Sequence, residues 1–287
     1  MLIYGDKKEG FKMDYKIHNE GLPDIQNEAS DFIKSDIFKV GINNYKVPIK
    51  IFYPETQQHF STIATVSAYA SLPRDKKGVN MSRFSMVVTE CAKDSIGSEA
   101  TEKILFKLKE DVESKNTYVK LRFDYLCKVK APVTKLESWF SIPVVMEGSL
   151  VDGVMKKFLT VEVNYTSLCP CSKEISEAGA HNQRSVSRIT VELNKETITF
   201  EDLKAIVDKS SSCPIFNTLK RADEKWVTEE AYNNPAFTED TCRKIAANLD
   251  VWIKTNRIND YVVVTENFES IHQSSAIAVM NAGKKLK

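Results

Sequence analysis

Residues 45–52 and 60–72 are rich in β-branched and aromatic side chains and read as two strands. Two helical patterns follow. In residues 81–92, Phe84, Val87, Val88 and Cys91 recur at helical spacing; in 99–112, Ile104, Leu105 and Leu108 share one face. Tyr118, Leu121, Phe123 and Tyr125 mark a third strand, whose alternation slips once, and residues 139–146 mark a fourth. The same order then recurs. Leu159, Val161, Val163 and Tyr165 alternate strictly, as do Ile189, Val191 and Leu193. A helix covers about 201–211. Another starts near Thr238, an N-cap candidate, and aligns Cys242, Ile245, Ala246, Leu249 and Ile253. Residues 261–265 and 276–280 are closing strands.

The reading is therefore strand-strand-helix-helix-strand-strand, twice, with antiparallel hairpins and grouped helices. That is an α+β layout with helices on one sheet face. A joint at residues 148–153 divides it into halves at 21–148 and 149–287, after a loosely ordered, charged segment at 1–20. Each half has open sheet edges, and closure by oligomerisation into a barrel is the expected way to cover them.

Composition narrows the function classes. The 287 residues are 42% hydrophobic and 28% charged, with a net charge of +1, so nothing points to nucleic acid. No apolar run is long enough for a membrane span, and the first residues do not read as a signal peptide. The six cysteines, Cys91, Cys127, Cys169, Cys171, Cys213 and Cys242, sit in a chain long enough to bury a core without disulfides. Reduced thiols in a cytoplasmic protein are expected.

Cys169-Pro-Cys171 and His181 to Arg184 crowd two thiols, an imidazole and a cation into a short stretch of a chain with only four histidines. Such a set suits metal-assisted chemistry on an anionic substrate. Cys169 follows a strand directly, and His181 follows a polar loop that can return it to the same point. Zinc suits such a pair with one carboxylate and an open position; iron and manganese suit it too. The run from Lys220 to Lys225 reads either as a solvated face or as an active-site loop, in which a carboxylate could complete a metal site and the cations could neutralise phosphates. Glu239, in a first helical turn, complements the helix dipole or accepts two N–H groups from a planar base. Glu269 and His272 are candidate acid–base partners after a strand.

Together these segments closely resemble the type IB GTP cyclohydrolases, a prokaryotic family of the tunnelling fold. The resemblance rests on 167–176 (SLCPCSKEIS), 179–185 (GAHNQRS), 219–225 (LKRADEK), 227–230, 231–235 (AYNNP), 237–240 (FTED) and 269–273 (ESIHQ). Residues 22–26 (LPDIQ) and 77–84 (KGVNMSRF) match as well. The resemblance implies hydrolysis of GTP to 7,8-dihydroneopterin triphosphate and formate, the first step toward tetrahydrofolate. It implies a bimodular tunnelling fold and a homotetramer with active sites between subunits. Cys169, His181 and Glu224 become the implied holders of one divalent metal, zinc, manganese or iron. Glu239 becomes the implied guanine anchor, and Cys169, His181, Glu269 and His272 the implied catalytic groups. Arg184, Lys220 and Arg221 are assigned to the triphosphate by their charge. Ser274 stands where many relatives carry a second histidine, and Asn80 where some carry one. A cyclohydrolase forming a cyclic phosphate, a deazapurine enzyme consuming NADPH and a non-catalytic purine or pterin binder are the competing readings.

Overall fold

The computed structural model describes residues 35–53, 58–93, 95–96, 99–194 and 198–283. The expected loose segment at 1–20 and the 22–26 motif lie outside the described residues. Strands β1 (Ile37–Tyr53) and β2 (Gln58–Leu72) lead into helix α1 (Met81–Cys91), a two-residue strand β3 (Ser95–Ile96) and helix α2 (Ala100–Asp111). Then come β4 (Thr117–Lys130), β5 (Glu137–Val151) and β6 (Val154–Leu168). The remainder is α3 (Pro170–Ile175), β7 (Asn182–Leu193), α4 (Phe200–Ser210), β8 (Cys213–Pro214), α5 (Arg221–Asn233), α6 (Thr238–Lys254), β9 (Ile258–Asn267) and β10 (Ala276–Asn281).

Among the described residues the strands form one sheet in the order β10-β9-β7-β6-β5-β4-β2-β1-β3. Neighbouring long strands are antiparallel, and only the short β3 pairs in parallel. The short β8 pairs with Tyr165 and Thr166 of β6, beyond the part that β5 reaches. One row shows how the sheet is covered. Val66, Leu121, Met146, Leu159, Val191 and Tyr261 lie opposite one another across six strands, and all are buried. The adjacent row, Thr65, Arg122, Val145, Thr160, Thr190 and Val262, has no buried member. The period of two therefore puts the core on one face, under the helices, and leaves the other open. Phe84, Val87, Ile104, Leu105 and Leu108 of α1 and α2 pack with Leu203, Val207, Ile245 and Leu249 of α4 and α6 into that single core.

Three expectations need correction. The strict strand-strand-helix-helix-strand-strand order is interrupted by β3 in the first half and by α3, β8 and α5 in the second. The charge run at 220–225 is not a loop but the first turn of α5. It is polar enough to look like a solvated connection, and its apolar partners appear only at Trp226, Val227 and Ala231. Thr238 is the first residue of α6 rather than its cap, which is Phe237.

Residues 148–153 contain a turn only at their end. Asp152 and Gly153, with φ of 50° and 82°, make a two-residue hairpin loop of the kind that Asp-Gly favours. Gly148 lies within β5, opposite Val119 and Lys157. A Cβ on it would lie 2.8 Å from Leu105 Cδ1 and 3.3 Å from Thr101 Cβ. This glycine lets α2 approach the sheet. No helix among the described residues is long and apolar enough to cross a membrane.

Gly148→Val is expected to lower stability by about 1–3 kcal/mol, the usual cost of overpacking a filled interior. Urea unfolding of the two proteins checks this. An unchanged midpoint would mean that α2 can shift away freely.

Candidate active site

The antiparallel pair β6–β7 closes with Leu168 opposite Asn182. The backbone pairing then runs one step further, because Cys169 N donates to His181 O at 3.1 Å. The eleven-residue excursion between them is thereby returned to its starting point. Its first part is α3, started by Pro170 in the first turn, where its missing N–H costs nothing. Cys169 is the N-cap, and its Sγ accepts from Ser172 N at 3.4 Å. Ser172 Oγ in turn accepts from His181 N at 3.1 Å. One serine thus ties the thiol residue and the histidine residue to the same helical turn.

The imidazole is oriented as well. His181 Nδ1 lies 3.0 Å from Oε1 of the buried Gln183. An amide oxygen only accepts, so in this contact Nδ1 is the donor, which in the neutral ring leaves Nε2 as the ligating nitrogen. Metal-binding histidines are commonly held in this way. Cys169 and His181 are both half-buried, whereas Cys171 is exposed.

Two further elements are fastened to this end of the sheet. Ala236 N donates to Leu168 O at 3.1 Å, Ser167 Oγ donates to Ala236 O at 3.2 Å, and Thr265 Oγ1 donates to Thr238 O at 3.2 Å. The start of α6 is thereby bound to the ends of β6 and β9, and it presents Glu239 in its first turn, exposed. On the other flank, Asn267 at the end of β9 lies opposite Ser185, and its Nδ2 donates to Ser167 Oγ at 3.2 Å. Phe268 N then donates to Arg184 O at 3.1 Å. The half-buried Glu269 follows directly, next to the strand that carries the exposed Arg184. His272 stands further along the exposed connection to β10, and no hydrogen bond or ion pair joins it to Glu269.

Helix α5 packs Ala231 with Leu168 and Cys213, and Lys173 Nζ donates to Tyr232 O at 2.5 Å while lying 4.2 Å from the centre of its ring. The exposed Lys220, Arg221 and Glu224 are at the opposite end of α5. Seven residues separate Glu224 from Ala231, about 10 Å of helix. Among the described residues, no three His, Cys, Asp or Glu side chains gather closely enough to hold a metal ion. The structure thus unites Cys169 with His181 and brings Glu239, Glu269 and Arg184 to the same sheet end. It does not gather Glu224 with the pair.

Sequence reasoning passed over Ser172, Gln183 and Asp223. Gln183 shares the parity of His181 along β7, a signal that was available. Asp223 is buried inside a charge run, and nothing local marked it. Its carboxyl is pushed up by burial, but hydrogen bonds from Thr134, Lys220 and Val133 outweigh this and hold it well below the usual carboxylate range. Burial has the opposite outcome at Cys213, where it drives the thiol up to about 12 and the nearby Glu230 and Asp208 add to the effect.

Residues 22–278 match the family described as type I GTP cyclohydrolase folE2. Proteins named GTP cyclohydrolase FolE2 are similar over nearly the whole chain. That of Magnetococcus marinus is 39% identical over 264 residues, covering 92% of this chain and 97% of its own. That of Dictyoglomus thermophilum is 41% identical over 262 residues, covering 91% and 98%. Among solved structures, uricase from Arthrobacter globiformis superimposes with a TM-score of 0.54 at 9% identity, covering 90% of this chain and 98% of that one. Urate oxidase from Bacillus sp. TB-90 gives a TM-score of 0.51 at 7% identity, covering 87% and 100%. At such low identity this likeness shows the fold alone. The family match and the two close relatives span the sheet end just described together with the rest of the fold, and the chain belongs to the type I GTP cyclohydrolase FolE2 family.

Proposed function

We propose that this protein hydrolyses GTP to 7,8-dihydroneopterin triphosphate and formate, the entry step of tetrahydrofolate synthesis. The observation that carries the reading is the Cys169–His181 pairing at the end of β6 and β7, with the imidazole fixed by Gln183. Releasing C8 of a purine as formate breaks two C–N bonds at one carbon. Water must be taken up twice, and each departing nitrogen needs a proton.

The donor set fits a divalent ion, with zinc, manganese and iron all suited to a thiolate and an imidazole. Cys169 and His181 would hold it, and Glu224 is the carboxylate assigned to complete the set. That assignment requires the exposed Glu224 to turn towards the pair on binding. When bound, such an ion supplies a water acidic enough to act as hydroxide near neutral pH. The remaining roles belong to this chain. Glu239 accepts the N1–H and amino hydrogens of guanine, a task for which an outward carboxylate on an anchored helix start is suited. Glu269 and His272 carry protons to and from the ring nitrogens. Cys169 is positioned to give a proton when it is not a ligand. Arg184, Lys220 and Arg221 offset the triphosphate charge.

The active assembly is a homotetramer with sites between subunits, closed into a barrel by pairing of sheet edges. In support, among the described residues β10 pairs on one side only and exposes Ile277 and Val279 at 62% and 59%. Uncovered apolar edges of this kind invite pairing with another copy. The six cysteines are free, which fits action in the cytoplasm.

Metal-reconstituted protein incubated with GTP should release formate and give a neopterin triphosphate signal after oxidation, both abolished by a chelator. A cyclic-phosphate product would instead indicate the related cyclohydrolase activity, and no product with any of the three metals would overturn the proposal. Cys169→Ala, fully metal-loaded, should lose nearly all formate release; turnover close to wild type would remove the thiol from the chemistry. Glu239→Gln should raise KM for GTP about tenfold or more, since hydrogen bonds to a charged acceptor contribute about 1.5–3 kcal/mol. An unchanged KM would show that guanine is anchored elsewhere.

A further inference from the structure

Asp223 is fully buried although Arg221, Ala222 and Glu224 around it are exposed. Its Oδ1 accepts from Val133 N at 2.8 Å and Thr134 N at 2.9 Å. Its Oδ2 accepts from Thr134 Oγ1 at 2.6 Å and Lys220 N at 3.0 Å. Two of these donors are backbone groups in the loop between β4 and β5, in the first half of the chain. The Lys220 amide is at the start of α5, in the second half. The carboxylate therefore joins segments about ninety residues apart and caps α5 by reaching back to its N-cap amide.

The surroundings make this a built clamp. The β4–β5 loop is closed on itself by Ala131 N donating to Leu136 O at 2.9 Å, with Lys135 at φ 60°. Asn217 Nδ2 adds a second tie to the first half by donating to Trp139 O. Residues 217–223 are thus held at both ends against β5 and its loop. Around the buried Asp223, the first turn of α5 turns Lys220, Arg221 and Glu224 outward, and all three are exposed. Asp223 satisfies its charge entirely with N–H and O–H donors. Neither Lys220 nor Arg221 is drawn into an ion pair with it, so both cations stay available for an anion. An arrangement in which Asp223 paired with Lys220 would have neutralised the charge that the site needs.

We infer that Asp223 is a positioning residue for the reaction: with Thr134 it locks the start of α5 so that Lys220 and Arg221 meet the triphosphate, and it fixes the backbone from which the Glu224 side chain turns toward the metal. This rests on the reading of the protein as a GTP cyclohydrolase with those three residues in its site. It adds a residue pair, one member from each half of the chain, that touches neither substrate nor metal. It also explains why a single acid in a run of charges is withdrawn from solvent.

The test compares wild type with Asp223→Asn and Thr134→Val. Asparagine keeps the shape but turns one acceptor into a donor facing N–H or O–H groups. Valine removes the hydroxyl donor from the other side of the clamp, far from the chemistry in sequence. Three quantities are read: KM and kcat for GTP, Mn²⁺ affinity of the substrate-free protein by titration, and the thermal midpoint. The expected result for Asp223→Asn is a KM about tenfold higher and Mn²⁺ binding several-fold weaker, with a smaller loss in kcat per folded enzyme. Thr134→Val should move KM and Mn²⁺ affinity in the same direction by about two- to threefold. A merely structural role would lower the thermal midpoint and the folded fraction while KM and Mn²⁺ affinity of the folded remainder stay at wild-type values. That outcome overturns the inference. If Asp223→Asn does not fold, Thr134→Val decides, and unchanged KM and Mn²⁺ affinity overturn it. Wild type that binds Mn²⁺ but releases no formate from GTP defeats the functional reading instead, and the Mn²⁺ titrations of the variants still decide the clamp.

Discussion

The meeting of Cys169 with His181 depends on the register between β6 and β7. Because side chains alternate across a strand, a one-residue slip would exchange the buried Val161, Val163 and Tyr165 for half-exposed Glu162, Asn164 and Thr166. Burying a glutamate and an asparagine without partners while exposing two valines is costly enough to exclude that slip. The core thus fixes Leu168 opposite Asn182, and that pairing in turn fixes Cys169 against His181. The thiol and the imidazole meet as a consequence of where valines and a tyrosine are buried further down the same strands.

The same logic extends sideways. β9 pairs with β7 from Leu193 to Ser185, and the last pair, Ser185 with Asn267, sets the place where the chain leaves the sheet toward Glu269. The start of α6 is tied to β6 through Ala236 and to β9 through Thr238. Glu239 and Glu269 are therefore located by hydrogen bonds that join their segments to neighbouring core strands. Flexible side chains on such a frame need little further ordering to reach a ligand, which is the advantage of building sites on rigid elements.

The amphipathic segments were legible because their patterns are local. Alternation at 159–165 and the helical face of Cys242, Ile245 and Leu249 carry their own signal, and the structure places them as read. The stretch from Cys169 to Arg184 stood out for a different reason: it gathers two cysteines, a histidine and an arginine in a chain with four histidines. What stayed hidden depends on distant partners. Helix α5 begins with five charged or small residues, and its start is tied down by Asp223, which accepts from Lys220 N and from the β4–β5 loop about ninety residues earlier. Gly148 looked like a joint because glycine usually punctuates, while its actual reason is the close approach of Leu105. Neither could be seen without knowing which elements pack together.

The two halves are joined more tightly than a doubled pattern suggests. The sheet passes through the Asp152–Gly153 turn without a break, since β5 and β6 pair from Val151 and Val154 to Val144 and Val161. Tyr125 of β4 donates to Glu201 of α4, and its ring packs against Phe200 at 4.7 Å, so a helix of the second half sits on a strand of the first. Asp223 adds a third link at the far end of α5. Relative movement of the halves would have to break a sheet ladder, an aromatic contact and a fully bonded buried carboxylate together. Such a frame is stiff: the cations Lys220 and Arg221 lie at one helix start in the second half, and the groups that hold that start lie on a loop of the first.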